Sequence, residues 1–150
     1  MKIYDCFMFY DEDLVIDLRL NILNEYVHKF VIVESKFTHS GKKRELLFDI
    51  NKYSKFKEKI NYIVLENEPV DLEIVHDNDT DDKKNSKYIM NALKRENFQR
   101  NGIKKGLTNA EPGDLILVSD VDEIPNLSNL DLNEINDNII LFKQNFYYYK

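Results

Sequence analysis

The strongest constraint on the fold is Leu115-Ile116-Leu117-Val118, an apolar run that stops abruptly at Ser119-Asp120-Val121-Asp122-Glu123-Ile124-Pro125. A short Leu/Ile/Val run bounded by Gly113 and Pro125 has the length and β-branched content of a strand covered on both faces, as in a parallel sheet. Such sheets collect ligands at the carboxyl ends of their strands. Asp120 and Asp122 alternate with Val121, so in an extended chain both carboxylates project to one side and can share a hard cation such as Mn²⁺ or Mg²⁺. A cation held there is placed to bind a diphosphate. The competing reading is turn and capping chemistry around Pro125.

Asp-x-Asp also occurs at Asp11/Asp13, Asp77/Asp79 and Asp79/Asp81, so context decides between the pairs. Asp11 and Asp13 precede an amphipathic run and suit a helix start. The tract Asp77 to Asp82 resembles the opening of a calcium loop, but Asp82 stands where the turn needs Gly and Tyr88 where it needs a bidentate Glu, so it reads as a solvated loop.

Strand-like and helix-like segments alternate along the chain, which predicts a single α/β domain with a mostly parallel central sheet flanked by helices. Strands are expected at Ile3 to Tyr10, Phe30 to Glu34 and Ile60 to Leu65, and from Ile139 into Phe146 to Tyr149, with a short segment near Asp131 to Ile135 between. Helices are expected over Leu14 to Val27, where Leu14, Leu18, Ile22 and Tyr26 share a face, over Asn51 to Lys59, and over about Ser86 to Asn109. Glu66 to Asn85 reads as a loop, and Pro112-Gly113 as a stop after the long helix. The 150 residues are 43% hydrophobic, enough for one core that buries about 70% of the unfolded surface.

The net charge of −6 argues against general nucleic-acid binding, which requires a basic face. No stretch approaches the roughly 20 apolar residues of a membrane span. The charged start Met1-Lys2-Ile3-Tyr4-Asp5 is unlike a signal peptide, so a cytoplasmic location is expected. The single cysteine, Cys6, lies in a strand-like run and reads as core packing.

On the long helix, Ile89, Leu93, Ile103 and Leu107 would form one apolar stripe, with Glu96 and Arg100 inside it. Either those two charges bridge each other, being spaced i,i+4, or the helix leans over a polar cleft where Arg100 meets an anion and Glu96 orients it. Arg95 and Gln99 fall off the stripe and are expected to face solvent.

Arg100-Asn101-Gly102, followed by the strand into Asp120-Val121-Asp122, resembles the helix and Asp-x-Asp strand of nucleotide-sugar glycosyltransferases with the Rossmann-like GT-A fold, with the departure that Gly102 follows Asn101 directly. A closer resemblance rests on several motifs in order. They are Asp5-Cys6-Phe7, Glu12 with Leu18-Arg19-Leu20-Asn21, Val33-Glu34-Ser35, Thr38-His39-Ser40-Gly41, Arg95-Glu96-Asn97, Gln99-Arg100-Asn101 and Ser119 to Pro125. Together they resemble glycosyltransferase family 17, the β-1,4-mannosyl-glycoprotein 4-β-N-acetylglucosaminyltransferase group.

The resemblance implies a UDP-sugar donor, UDP-N-acetylglucosamine first, a glycan acceptor, a Mn²⁺ or Mg²⁺ ion, and inversion at the anomeric carbon. Asp120 and Asp122 would hold the metal, Arg100 would add a contact to the diphosphate, and Phe9-Tyr10 would pack against the base. Glu34 would accept from ribose or uracil, or else anchor a loop through backbone donors. His39 is either a loop residue or a ligand contact. Glu123, the nearest candidate for the general base, alternates away from the metal pair. Family members continue beyond the point where this chain stops, so it is expected to be a donor-binding half whose acceptor half is short or absent, or is supplied by a partner or oligomer. Two other classes stay open. One is a nonenzymatic nucleotide-sugar binding or interaction module, and the other a metal-dependent nuclease or phosphatase using the same carboxylates.

Overall fold

The computed structural model describes residues 1–131 and 139–145. Four strands, β1 (Ile3–Met8), β2 (Lys29–Ser35), β3 (Ile60–Leu65) and β4 (Leu115–Val118), form one sheet in the order β3-β2-β1-β4. Every pairing is parallel, with Cys6 opposite both Val31 and Val118. The helices are α1 (Asp13–Leu23) and α2 (Asp81–Asn101), supplemented by 3₁₀ segments at Ile50–Lys59 and Gly102–Gly106. The expected α/β class is therefore observed.

Strand pleating divides the core between the two faces of the sheet. Ile3, Phe7, Phe30 and Ile32 pack with Ile16, Leu20 and Leu23 of α1 and with Tyr53 and Phe56 of the first 3₁₀ segment. Tyr4, Cys6, Val31, Val33 and Leu65 pack with Ile103 on the opposite face. Cys6 is fully buried, and burial pushes its thiol up to about 12, so it packs rather than reacts. On the second face the second 3₁₀ segment lies directly on the sheet because it carries glycines. A Cβ at Gly102 would meet Val33 at 3.1 Å and Leu65 at 3.2 Å, and one at Gly106 would overlap a Val31 methyl.

Several sequence expectations are corrected. Leu14, Leu18 and Ile22 do share a face of α1, but it is the outer, exposed one, and Tyr26, also exposed, lies beyond the helix, which ends at Leu23 rather than Val27. The helix also carries a second stripe, Ile16, Arg19, Leu20 and Leu23, and that stripe is buried. It prevails because Arg19 meets a buried carboxylate on β1, as described below. The long helix begins at Asp81, with Thr80 capping Lys83 N, and Asp81 and Asp82 in its first turn. Of the acidic tract, Asp77 to Asp79 form the expected loop while Asp81 and Asp82 start the helix, and Asp79 is held below the usual carboxylate range first by Lys87 and also by the His76 N–H.

The stripe expected on the long helix does not form. Ile89 and Leu93 are exposed, and only Asn91 and Gln99 of α2 are buried. The helix tightens to 3₁₀ at Gly102, so a projection at 3.6 residues per turn does not carry through to Ile103 and Leu107. Residues 139–145 form no strand, although Phe142 packs partly on the core. The expected segments at 132–135 and 146–149 lie outside the described residues. Among the described residues, no helix is long and apolar enough to cross a membrane.

Candidate active site

The order β3-β2-β1-β4 means that the chain leaves β1 in one direction to make β2 and β3, then crosses back to place β4 on β1's other side. Such a reversal leaves a crevice at the carboxyl ends of the two strands that flank it. A cleft of about 670 Å³ lies there, lined by the ends of β1 (Met8, Phe9, Tyr10) and β4 (Asp120, Val121, Asp122), by the loop after β2 (Phe37, Thr38, His39, Arg44), and by Glu96 and Gln99 of α2.

Asp120 and Asp122 both line this cleft and both are exposed. Their loop is shaped from beneath by Arg19, which is wholly buried. Arg19 grips Asp5 of β1 with Nε and Nη2 at 2.8 and 2.7 Å. Its Nη1 donates to the carbonyls of Asp120, Val121 and Glu123 at 2.8, 3.0 and 3.2 Å, and Nη2 also donates to Ser119 Oγ at 2.7 Å. A charge so deeply desolvated is tolerable only when paired and fully hydrogen-bonded, and this one is both. Sequence reasoning missed this role. Its signal was the presence of an arginine among Ile16, Leu20 and Leu23 on the buried face of α1.

Glu123 folds back on its own loop, its Oε2 accepting from Asp120 N at 3.1 Å while Ser119 Oγ donates to its carbonyl. It does not line the cleft, but the strand alternation expected across Asp120 to Glu123 is not the reason, because β4 ends at Val118 and these residues form a turn in which Glu123 N donates to Asp120 O. Arg100 makes the expected i,i+4 pair with Glu96 and also reaches Asp120, a contact that the sequence did not suggest. Its Nη2 lies 3.0 Å from Glu96 and 3.5 Å from Asp120, and its side chain is 40% exposed. Half-exposed pairs of this kind are weakly held, so the guanidinium is available to an anion beside Asp120.

Glu34 is completely buried. Its carboxylate accepts from Leu47 N, Phe48 N and the Tyr62 hydroxyl, and is paired with Arg44 at 3.0 Å. The loop-anchoring alternative is therefore the role the geometry gives it, and Glu34 is not among the residues that line the cleft. Burial and donation to Glu34 raise the Tyr62 hydroxyl above its ordinary range. Phe9 belongs to the core, edge-on to Phe48, whereas Tyr10 is about half exposed. Arg44 also covers the Tyr10 ring at 4.2 Å and donates to the Tyr10 and Ser35 carbonyls, so it ties the ends of β1 and β2 together. Nothing in Lys42-Lys43-Arg44-Glu45 distinguishes that arginine by pattern.

Gln99, expected at the surface, is buried against β2, where its Nε2 donates to Val33 O at 3.1 Å and its Oε1 meets His39 Nε2 at 3.2 Å. Arg95, also expected at the surface, is paired with Glu68 at 2.6 Å and packs against Gly41, whose φ of +88° suits glycine.

Among the described residues no three His, Cys, Asp or Glu side chains gather as a complete metal-binding group. The Asp120/Asp122 pair nevertheless fits Mg²⁺ or Mn²⁺ chemistry, because such ions take one or two carboxylates and complete their shell with water and substrate phosphate. A family model described as glycosyltransferase family 17 matches residues 1–149. No curated protein and no solved structure matches the chain.

Proposed function

The chain belongs to glycosyltransferase family 17, and from that premise we propose that it transfers a sugar, N-acetylglucosamine in the first instance, from a UDP donor to a glycan acceptor in a metal-dependent, inverting reaction on a GT-A-type scaffold. The observation that carries this reading is the placement of Asp120 and Asp122 in the crevice where the sheet reverses direction, with the loosely paired Arg100 reaching Asp120 from α2.

In this reading Asp120 and Asp122 hold Mn²⁺ or Mg²⁺. When bound, the ion neutralises the charge that develops on UDP as the glycosidic bond breaks. Arg100 exchanges its weak contact with Asp120 for the diphosphate, a stronger charge-assisted partner, while Glu96 keeps its guanidinium aimed. Tyr10, clamped by Arg44 on one side, offers its ring to the base. Arg19 acts on the loop backbone, keeping the two aspartates in place without touching substrate. Glu34 supports Arg44 from behind and contacts no nucleotide. Glu123 Oε2 accepts from Asp120 N, and the geometry singles out no group as the base that takes the acceptor's proton.

Titration of UDP and UDP-N-acetylglucosamine into the chain, with Mn²⁺ and then with chelator, tests the donor site. Metal-dependent binding of both is expected, and a folded chain that binds neither overturns the reading. Sugar release then separates an enzyme from a binding module, because a module would retain UDP-N-acetylglucosamine without cleaving it.

A further inference from the structure

The Val33, Gln99 and His39 chain fixes more than a loop position. A backbone carbonyl only accepts, so the Gln99 group facing Val33 O must be its NH₂, which leaves Gln99 Oε1 as an acceptor toward His39. His39 Nε2 must then carry a proton, and in a neutral imidazole Nδ1 is left as a bare acceptor. Nδ1 has no hydrogen-bond partner among the described residues, and His39 lines the cleft. The loop itself is held in place. Arg95 donates to His39 O, Gly41 N to Thr38 O, and Lys42 N to Thr38 Oγ1.

Position along the cleft assigns this acceptor a target. The loop bearing His39 follows β2, Tyr10 follows β1, and the aspartates follow β4, three strands that are neighbours in that order. Parallel strands are spaced a little under 5 Å apart, and His39, Tyr10, Asp120 and Asp122 all line the one cleft. A nucleotide with its diphosphate at Asp120 and Asp122 and its base against Tyr10 brings the edge of that base toward His39.

We propose that His39 Nδ1, the acceptor nitrogen of the tautomer that Gln99 selects, favours nucleoside diphosphates whose base presents a ring N–H, uracil above all, over cytosine, whose corresponding ring nitrogen is itself an acceptor. This rests on the donor-site reading above. His39 is exposed in the ligand-free chain; a base seated against it would shield Nδ1 from water, so that a base lacking the ring N–H leaves that atom unpaired.

The experiment is titration of UDP and CDP, with Mn²⁺, into the unaltered chain and His39→Ala. The unaltered chain is expected to prefer UDP by about tenfold or more, and His39→Ala to lose most of that preference by weakening UDP alone. Absence of binding by either nucleotide overturns the donor site and this inference with it. Metal-dependent UDP binding whose preference over CDP is absent, or survives His39→Ala, overturns this inference alone. Imidazole ¹⁵N NMR of the ligand-free chain gives an independent readout in mildly alkaline solution. The Nε2–H tautomer of His39 is expected, and the Nδ1–H tautomer would overturn the proposal.

Discussion

Arg19 and Asp5 form a bidentate pair whose side chains are both wholly buried, and the same guanidinium holds the backbone of the loop that carries Asp120 and Asp122. Fold stability and site geometry therefore pass through one side chain. Asp5→Asn removes one charge and strands the other in the core, so it is expected to destabilise the chain by about 3–5 kcal/mol in chemical denaturation. Joint replacement, Asp5→Leu with Arg19→Met, is expected to regain much of that stability, yet to leave metal-dependent UDP binding weakened because the loop carbonyls lose their donor. Full recovery of both properties would show that the loop holds its shape without Arg19.

Asp122 is exposed and lines the cleft, so its carboxylate can be changed without disturbing the core. Asp122→Asn is expected to abolish Mn²⁺-dependent UDP binding while the thermal midpoint stays within about 2 °C of the parent, as for surface substitutions of about 0.5 kcal/mol. Unchanged UDP affinity would remove the metal assignment.

Much of the scaffold was legible because buried parallel strands advertise themselves as continuous apolar runs. Phe30 to Val33, Ile60 to Leu65 and Leu115 to Val118 all lie in observed strands, and the Asp120/Asp122 pair could be placed from the end of its strand. Less legible was what depends on pairing across the chain. Glu34 reads equally well as a ligand contact or an anchor until the backbone of Leu47 and Phe48 is seen to meet it. Leu14, Leu18 and Ile22 compete with Ile16, Leu20 and Leu23 for the core, and the carboxylate of Asp5, on a separate strand, is what allows Arg19 to turn inward with the second set. The error over Gln99 has a similar origin, since it sits in α2 ahead of the change of pitch at Gly102 and its partners, Val33 O and His39, lie on other elements.

That change of pitch gives a stability prediction. Gly106 lies so close to β2 that a Cβ there would overlap Val31, whereas at Gly102 the nearest atoms are methyl groups at 3.1 and 3.2 Å. Gly106→Ala must push the 3₁₀ segment off the sheet or move Val31, an overpacking cost of about 1–3 kcal/mol. Gly102→Ala requires shifts of only a few tenths of an ångström and should cost less. Thermal melts of the two variants check this ranking, and equal midpoints would contradict it.

Arg100 separates the two readings of its own ion pairs. If it bridges Glu96 and Asp120 only to hold α2 near β4, removing it should affect every ligand alike, through whatever displacement of the cleft follows. If it meets the diphosphate, the loss should scale with phosphate. Both of its contacts are partly exposed, so their contribution to stability is at most about 1 kcal/mol and Arg100→Ala should fold normally. A charge-assisted contact to phosphate contributes about 1.5–3 kcal/mol, so UDP affinity is expected to fall by roughly tenfold to a hundredfold while that of uridine stays nearly constant. Equal losses for UDP and uridine would establish Arg100 as structural and return the diphosphate to Asp120 and Asp122 alone.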